Sequence, residues 1–150
     1  MKIYLDLCAI QRPLDTPDQV RIVLDSEAVL GVIAFCAFSQ VELVSSELLF
    51  YEAEQCSLPI RKEHTHAVLA KAKSYIKITE PIKQRAEYLT TFGINALDAL
   101  HVALAESGHA EFFGTCDDKL LRNAKHIQNL KIQVVNPVDL IQEIEKWLRK

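Results

Sequence analysis

Glycine is scarce in this sequence. Only four glycines occur among 150 residues, and none belongs to a glycine-rich phosphate loop. Neither GxGxxG nor the Walker pattern GxxxxGK[ST] is present, which excludes enzymes that hold nucleotide cofactors on such loops. The nucleophile elbow GxSxG is also absent, so serine-hydrolase chemistry has no support. No apolar run approaches the roughly 20 residues that a membrane-spanning helix needs.

Cysteine usage and charge narrow the class of protein further. The four cysteines are scattered and form no CxxC pair, which is typical of reduced cytosolic thiols rather than of a disulfide framework. The chain starts directly with a strand pattern instead of a secretory signal, so a cytoplasmic location is expected. A net charge of −3 disfavours a protein that coats nucleic acid non-specifically, but it allows an enzyme that contacts a few phosphates.

Strand and helix signals alternate along the chain. Strands are predicted at 2–6, 41–45, 75–78, 112–115 and 132–135, and helices at 18–38, 47–55, 61–74, 80–92, 96–106, 118–126 and 137–147, with breaks at 13–17 and at Pro59. This alternation implies parallel pairing with right-handed crossovers. We therefore predict one α/β domain over residues 1–150, a three-layer α/β/α fold around a mostly parallel sheet of about five short strands.

Four carboxylates stand at the ends of apolar segments or on helical stretches. Asp6 closes the first strand pattern, Asp117 follows the apolar segment 111–116, and Glu52 and Asp98 lie on predicted helices. In an open α/β sheet, the strand ends and the starts of the following helices share the edge at which ligands bind. Acids that meet there would form an oxygen-rich pocket suited to Mg²⁺ or Mn²⁺. This arrangement favours a metal-dependent hydrolase acting on phosphodiesters.

Each acid also has an ordinary structural interpretation. An Asp after a strand is commonly a turn former or a helix cap, as Asp117 and Asp118 would be. Asp98 is harder to explain, because it interrupts the almost wholly apolar helix 94–104, where a carboxylate needs a partner or a metal. Two carboxylates about 6 Å apart repel by roughly 3 kcal/mol at an effective dielectric near 20, and a divalent cation reverses that local field. His101, one turn after Asp98, is interpreted as a packed histidine.

Five segments occur in an order that resembles the PIN-domain family, including the VapC-type toxins of bacterial toxin–antitoxin pairs. They are YLD at 4–6, QRP at 11–13, SELLFYE at 46–52, LDALHVA at 97–103 and TCDDKLL at 115–121. The resemblance covers nearly the whole chain, and LDALH and TxDD are its most specific parts. It implies a small ribonuclease that uses Mg²⁺ or Mn²⁺ at an acidic site. It also implies a homodimer and, in many such proteins, a small antitoxin whose tail blocks the site.

The resemblance assigns the catalytic acids by position. The matching residues are Asp6, Glu52, Asp98 and Asp117, of which Asp6, Asp98 and Asp117 are the expected metal ligands. Glu52 is preferred over Glu47 because it stands six residues after Ser46, as in the family's pattern. Glu52 is expected to bind the metal or to orient water.

Five further residues carry additional expectations. Thr115 matches a position whose hydroxyl supports the site, and Asp118 is an extra acid expected to act through water. Arg12, just beyond the first strand, is expected to reach the acidic pocket and to hold a carboxylate or a phosphate. Lys119 and Arg122 are candidate ligands of RNA phosphates, although an ordinary solvated helix face explains them equally well.

Cys8 departs from the family's pattern, which often has a small polar residue two positions after the first Asp. A thiol is a poor ligand for a hard cation and a weak hydrogen-bonding group. Cys116 also stands next to an expected ligand. One hypothesis is therefore that oxidation or Zn²⁺ inhibits the enzyme through Cys8 and Cys116, and the alternative is that both are inert core residues.

The sequence as a whole predicts a metal-dependent endoribonuclease, the toxin of a toxin–antitoxin pair. Two alternatives stay open. A DNA-directed or structure-specific nuclease would use the same acids, because the choice of RNA depends on contacts to the 2′-hydroxyl. A catalytically weak RNA-binding module of the same fold is the other alternative, and Cys8 is the residue that suggests it.

Overall fold

Five parallel strands form the centre of the molecule. The computed structural model describes all residues, 1–150. The strands are β1 (Lys2–Leu5), β2 (Glu42–Ser46), β3 (Ser74–Ile76), β4 (Phe112–Gly114) and β5 (Gln133–Val135). Their spatial order is β3-β2-β1-β4-β5, and every pairing is parallel. The chain therefore reverses its direction across the sheet between β1 and β4, the position at which open α/β sheets bind ligands.

Eight helices connect the strands and complete the predicted α/β/α fold. They are α1 (Leu7–Gln11), α2 (Val20–Ala37), α3 (Glu47–Gln55), α4 (Pro59–Leu69), α5 (Glu80–Thr90), α6 (Ala96–Ser107), α7 (Asp118–Ala124) and α8 (Pro137–Leu148), with a 3-10 turn at Arg12–Leu14. Helix α2 packs on α8, and α5 packs on α6. No helix combines the length and the apolar character that crossing a bilayer requires.

The alternation of side chains along β1 separates the two faces of the sheet. The Tyr4 ring stacks on Phe113 of β4, with ring centroids 5.2 Å apart, and approaches His101 of α6 on the same face. Leu5 points to the opposite face, where a Cβ added to Gly114 would lie 2.7 Å from Leu5 Cδ2 and 3.0 Å from Leu140 Cδ2 of α8. Glycine at 114 therefore lets β1, β4 and α8 approach closely.

Side-chain caps begin several helices where the sequence predicts them. The backbone N–H of Leu49 donates to Ser46 Oγ over 3.1 Å. Two asparagines cap in the same way, since the Asp98 N–H donates to Asn95 Oδ1 and the Asp139 N–H donates to Asn136 Oδ1, both over 2.8 Å. These bonds satisfy backbone donors that a helix leaves free in its first turn.

Some predicted boundaries are wrong. The sequence gives no signal for α1, because a five-residue helix is too short to show periodicity, and the Asp6 side chain caps it. Pro59, predicted as a break, is the first residue of α4, where a missing N–H costs no hydrogen bond. Helix α4 ends at Leu69 rather than at 74, and α7 ends at Ala124 rather than at 126.

Candidate active site

Four carboxylates from four separate elements line one cavity of about 200 Å³. Asp6 follows β1 directly, Glu52 lies on α3, Asp98 lies in the first turn of α6, and Asp117 precedes α7. The other lining residues are Leu7, Cys8, Asn95, Leu97 and His101. The cavity lies beside the switch point between β1 and β4, so the topology of the sheet brings these acids together.

Asp6 is the most buried of the four acids. The residue is only 4% exposed, and Oδ1 accepts hydrogen bonds from the Ala9 N–H over 3.1 Å and from the Cys8 thiol over 3.0 Å. Burial, the largest influence, raises the pKa of Asp6 well above its ordinary value. A nearby positive charge would therefore stabilise the ionised form of Asp6 in this environment.

Asp98 and Asp117 are neighbours across the cavity. Asp98 Oδ2 accepts a hydrogen bond from the Asn95 side-chain amide over 2.9 Å, and Asp117 Oδ1 caps α7 through the backbone N–H groups of Lys119 and Leu120. Burial raises the pKa of Asp98, and the negative charge of Asp117 raises it further. The two carboxylates therefore repel each other in the metal-free protein.

Glu52 is held by His101, a residue that the sequence marks only as a packed histidine. Its Oε1 lies 2.7 Å from Nε2 of His101, and Nδ1 of His101 lies 2.6 Å from the Tyr4 hydroxyl. Both ring nitrogens are engaged, which agrees with a packed histidine and leaves neither nitrogen free for a metal. The available signal was that His101 follows Asp98 by one helical turn and so faces the same side.

Thr115 and Asp118 have different positions relative to the cavity. Thr115 is fully buried, and its Oγ1 accepts the N–H of Asp117 over 3.1 Å, so it orders the segment that carries that acid. Asp118 does not line the cavity. It is exposed and pairs with Arg21 Nη1 over 2.7 Å, a hydrogen bond that lowers the pKa of Asp118. Asp118 therefore lies beside the candidate site and connects α2 to α7.

The predicted phosphate-binding residues lie outside the cavity. Arg12 does not reach the acids, because its guanidinium pairs with Asp15 over 3.1 Å and with the buried Asp25 over 3.3 Å. That expectation is corrected: the 3-10 turn after α1 directs Arg12 toward α2. Lys119 and Arg122 are exposed on α7, the helix that Asp117 caps, and stay candidates for contacts at the rim.

The thiols of Cys8 and Cys116 lie close to each other at the cavity. The contact with Cys116 is the largest influence that raises the pKa of Cys8 well above its ordinary value, and partial loss of solvation is the second. Oxidation and alkylation require the thiolate, so the environment of Cys8 disfavours the oxidation hypothesis. No group of three His, Cys, Asp or Glu side chains is in position to hold a metal ion, which gives a zinc site at these thiols no support either.

The donor chemistry of the cavity fits a hard divalent cation. Its charged side chains are all carboxylates, and the only imidazole has both nitrogens engaged. The present rotamers do not bring three of the acids into coordinating positions at once. Asp6 and Asp117 each use one carboxylate oxygen, Oδ1, as a helix cap. Binding of a cation by three of these acids therefore requires side-chain rotations within the cavity.

Comparison with known families identifies the fold. The model of the PIN domain family matches residues 3–126, and the chain belongs to that family. The PIN family is a family of nucleases, which generally use divalent metal ions. No curated protein sequence gives a significant match.

Solved structures of low sequence identity share this fold. The structure of FitAcB from Neisseria gonorrhoeae is 18% identical, with a TM-score of 0.58, over 90% of this chain and 97% of that chain. VapBC2 from Rickettsia felis, bound to a DNA fragment from its promoter, is 15% identical, with a TM-score of 0.58, over 91% and 98% of the two chains. VapBC-1 from nontypeable Haemophilus influenzae is 16% identical, with a TM-score of 0.56, over 91% and 98%.

Proposed function

We propose that this chain is a metal-dependent endoribonuclease and that residues 1–150 form a single nuclease domain. One observation carries the proposal: Asp6, Glu52, Asp98 and Asp117 line one cavity in a chain of the PIN family. The all-carboxylate charge of the cavity supports Mg²⁺ or Mn²⁺ as the cofactor. Asp6, Asp98 and Asp117 would hold the ion.

Different residues would have different roles in the hydrolysis of RNA. A bound divalent ion would lower the pKa of a water and offset the charge of the attacked phosphate. Glu52, the acid held by His101, would accept a proton from the attacking water. Thr115 would hold the Asp117 segment in place. The exposed Lys119 and Arg122 on α7 would bind flanking phosphates of the RNA.

Cleavage of labelled single-stranded RNA with Mn²⁺, compared with cleavage in EDTA, tests the proposal. Asp98→Asn is expected to lower the rate by at least about 100-fold, since it removes a charge needed to hold the ion. Asp139→Asn is the matched control, because Asp139 stands three residues after the cap Asn136 as Asp98 stands three after Asn95. Asp139 lies outside the cavity, so the Asp139→Asn protein is expected to cleave RNA at the normal rate.

The same assay separates the competing functions. Faster cleavage of single-stranded DNA, or of structured DNA, would replace the RNA assignment with a DNA-directed nuclease. RNA binding without cleavage by the unaltered protein would indicate a binding module. Cleavage that persists in EDTA, or in the Asp98→Asn protein, would contradict the metal-dependent mechanism.

We infer an antitoxin partner and a homodimer as the assembly. The fold similarity to FitAcB and the VapBC proteins supports a toxin of this type. Large apolar side chains are exposed on α2, α3 and α4, among them Val20, Leu24, Tyr51 and Ile60, with exposures of 77%, 52%, 60% and 73%. Where such side chains form a contiguous patch, the patch is a candidate interaction surface.

Two measurements test this assembly. Light scattering of the purified chain is expected to give twice the mass of 17.0 kDa, and a monomer would contradict the homodimer. Co-expression with the product of a short neighbouring reading frame is expected to yield a complex without ribonuclease activity. The absence of such a reading frame would remove the antitoxin from the proposal.

A further inference from the structure

A chain of four side chains connects the sheet to the candidate catalytic Glu52. Ser46 Oγ lies 2.7 Å from the Tyr4 hydroxyl, that hydroxyl lies 2.6 Å from His101 Nδ1, and His101 Nε2 lies 2.7 Å from Glu52 Oε1. Ser46 and Tyr4 are completely buried, and His101 is 3% exposed. The residues come from β2, β1, α6 and α3, so the network joins four elements.

The positions of the protons follow from the partners. An ionised Glu52 only accepts hydrogen bonds, so Nε2 of His101 carries a hydrogen. In a neutral ring Nδ1 then accepts, and the Tyr4 hydroxyl donates to it. Ser46 in turn donates its hydroxyl hydrogen to the Tyr4 oxygen, while its own oxygen accepts the Leu49 N–H over 3.1 Å. Every hydrogen in the network has an acceptor.

The alternative protonation state leaves the network unsatisfied. If Nδ1 also carried a hydrogen, it would donate to the Tyr4 oxygen, and Tyr4 would donate to Ser46 Oγ. The hydroxyl hydrogen of Ser46 would then have no acceptor within hydrogen-bonding distance. An unpaired hydrogen is unfavourable at a completely buried residue. The hydrogen bonds of Tyr4 and Ser46 therefore favour the tautomer of His101 that carries its hydrogen on Nε2, the nitrogen that faces Glu52.

The network constrains the carboxylate of Glu52. The bond from His101 holds Oε1, and Oε2 makes no hydrogen bond to the protein. Tyr4 is itself fixed by stacking on Phe113 and stands two residues before Asp6 on β1, while His101 follows Asp98 by one turn of α6. The same network thus sets the position of Glu52 relative to two other acids of the cavity.

We propose that His101, fixed as the Nε2–H tautomer by Tyr4 and Ser46, is a positioning residue that holds Glu52 for catalysis. The catalytic part of this inference rests on the proposed nuclease function. Loss of a partner that orients a residue of a metal site typically lowers activity by about 10–100-fold. His101 contacts no reacting group, so its effect passes through Glu52.

Two replacements of His101 separate positioning from packing. His101→Leu fills the buried site but removes both hydrogen bonds, whereas His101→Gln keeps an amide N–H that reaches Glu52. We expect kcat to fall by about 10–100-fold in His101→Leu and to recover to within about fivefold in His101→Gln, with KM for RNA unchanged within about twofold in both. A packing role predicts the reverse order, because leucine is the better residue for a buried helix position.

The tautomer is measured without any enzyme activity. Long-range ¹H–¹⁵N correlation spectra of the ¹⁵N-labelled protein at neutral pH are expected to show His101 as the Nε2–H form. The Tyr4→Phe variant keeps the stacked ring but loses the hydroxyl. The Nδ1 signal of His101 is therefore expected to shift in this variant. The histidines His64 and His126 serve as internal references that Tyr4→Phe should leave unchanged.

The outcomes distinguish the inference from the proposed function. An Nδ1–H or doubly protonated His101 in the unaltered protein overturns the network, whatever the enzyme does. Equal activity of the His101→Leu, His101→Gln and unaltered proteins overturns the positioning role. An unaltered protein that cuts no RNA with Mn²⁺ overturns the proposed function and with it the catalytic role of His101, while the spectra still decide the tautomer.

Discussion

The Cys8 thiol donates a hydrogen bond to Oδ1 of Asp6 over 3.0 Å. The same oxygen caps α1 by accepting the Ala9 N–H, so the thiol takes the place that a small polar residue often has in this family. A thiol donates a hydrogen bond more weakly than a hydroxyl does. Cys8 therefore fills the position and keeps the Asp6 carboxylate oriented without competing for a hard cation.

Cys8 is expected to react slowly with thiol reagents. The contact with Cys116 and the partial loss of solvation around the sulfur raise the pKa of Cys8. Little thiolate therefore exists near pH 8, although solvent reaches part of the residue. Iodoacetamide labelling followed by peptide mass spectrometry measures the rate. The urea-unfolded chain is the control, in which Cys8 should label at the rate of an ordinary thiol. Equal rates in the folded and unfolded chains would contradict the protected thiol.

Millimolar Mn²⁺ is expected to raise the melting temperature. At ten times the dissociation constant, binding to the folded state contributes about 1.4 kcal/mol, or roughly 3–6 °C for a domain of this size. The double variant Asp6→Asn, Asp98→Asn should lose this response, because both residues line the acidic cavity. Asp139→Asn should keep it. An unchanged melting temperature of the unaltered protein on addition of Mn²⁺ would count against the metal site.

The raised pKa values of Asp6 and Asp98 predict a pH dependence in metal-free protein. The folded state holds protons on these groups to a higher pH than the unfolded chain does. Ionisation of these two groups therefore lowers the free energy of unfolding only at higher pH. The effect is absent below the pKa of the unfolded chain, about 3.9, grows as the pH rises, and is complete above the raised pKa values of the folded state. The stability difference between the double asparagine variant and the unaltered protein should grow with pH over that range.

Urea unfolding in EDTA at several pH values measures this difference. Asp98→Asn alone is expected to stabilise the metal-free protein by less than about 1 kcal/mol near neutral pH, since solvent screens this partly exposed group. Asp6→Asn retains an oxygen that can accept the Ala9 N–H. A stability difference that stays constant, or shrinks, between acid and neutral pH would show that these carboxyls are not perturbed as described.

Glu106 is expected to contribute to stability and not to catalysis. Its carboxylate is 6% exposed, accepts two bonds from Arg85 over 2.8 and 3.0 Å, and also accepts the Lys131 N–H over 2.9 Å. Glu106→Ala removes the acceptor of Arg85 Nε and of the Lys131 N–H, while Arg85 Nη2 keeps the Asn129 carbonyl, and it should destabilise the fold by about 2–3 kcal/mol. Chemical unfolding checks this value. Glu143→Ala, in the exposed pair with Lys146, should change stability by less than about 0.5 kcal/mol.

Much of the fold could be predicted from local patterns. The five strands and seven of the helices were expected because their apolar residues repeat with strand or helix periods, and caps such as Ser46 and Asn95 mark where helices begin. Helix α1 was missed because five residues between a strand and a proline show no period. Pro59 was misplaced because a proline ends one helix pattern and begins another with the same local signal.

The sequence alone determined which chemical groups are available: four acids after apolar segments, in the order that the PIN family shares, with no phosphate loop or disulfide framework. Only the tertiary structure decided which of these groups meet. It placed Asp6, Glu52, Asp98 and Asp117 around one cavity, directed Arg12 to Asp15 and Asp25, and put His101 between Tyr4 and Glu52. The reason is physical, because periodicity reports which face of its own element a side chain occupies, whereas contacts between elements depend on strand order and packing.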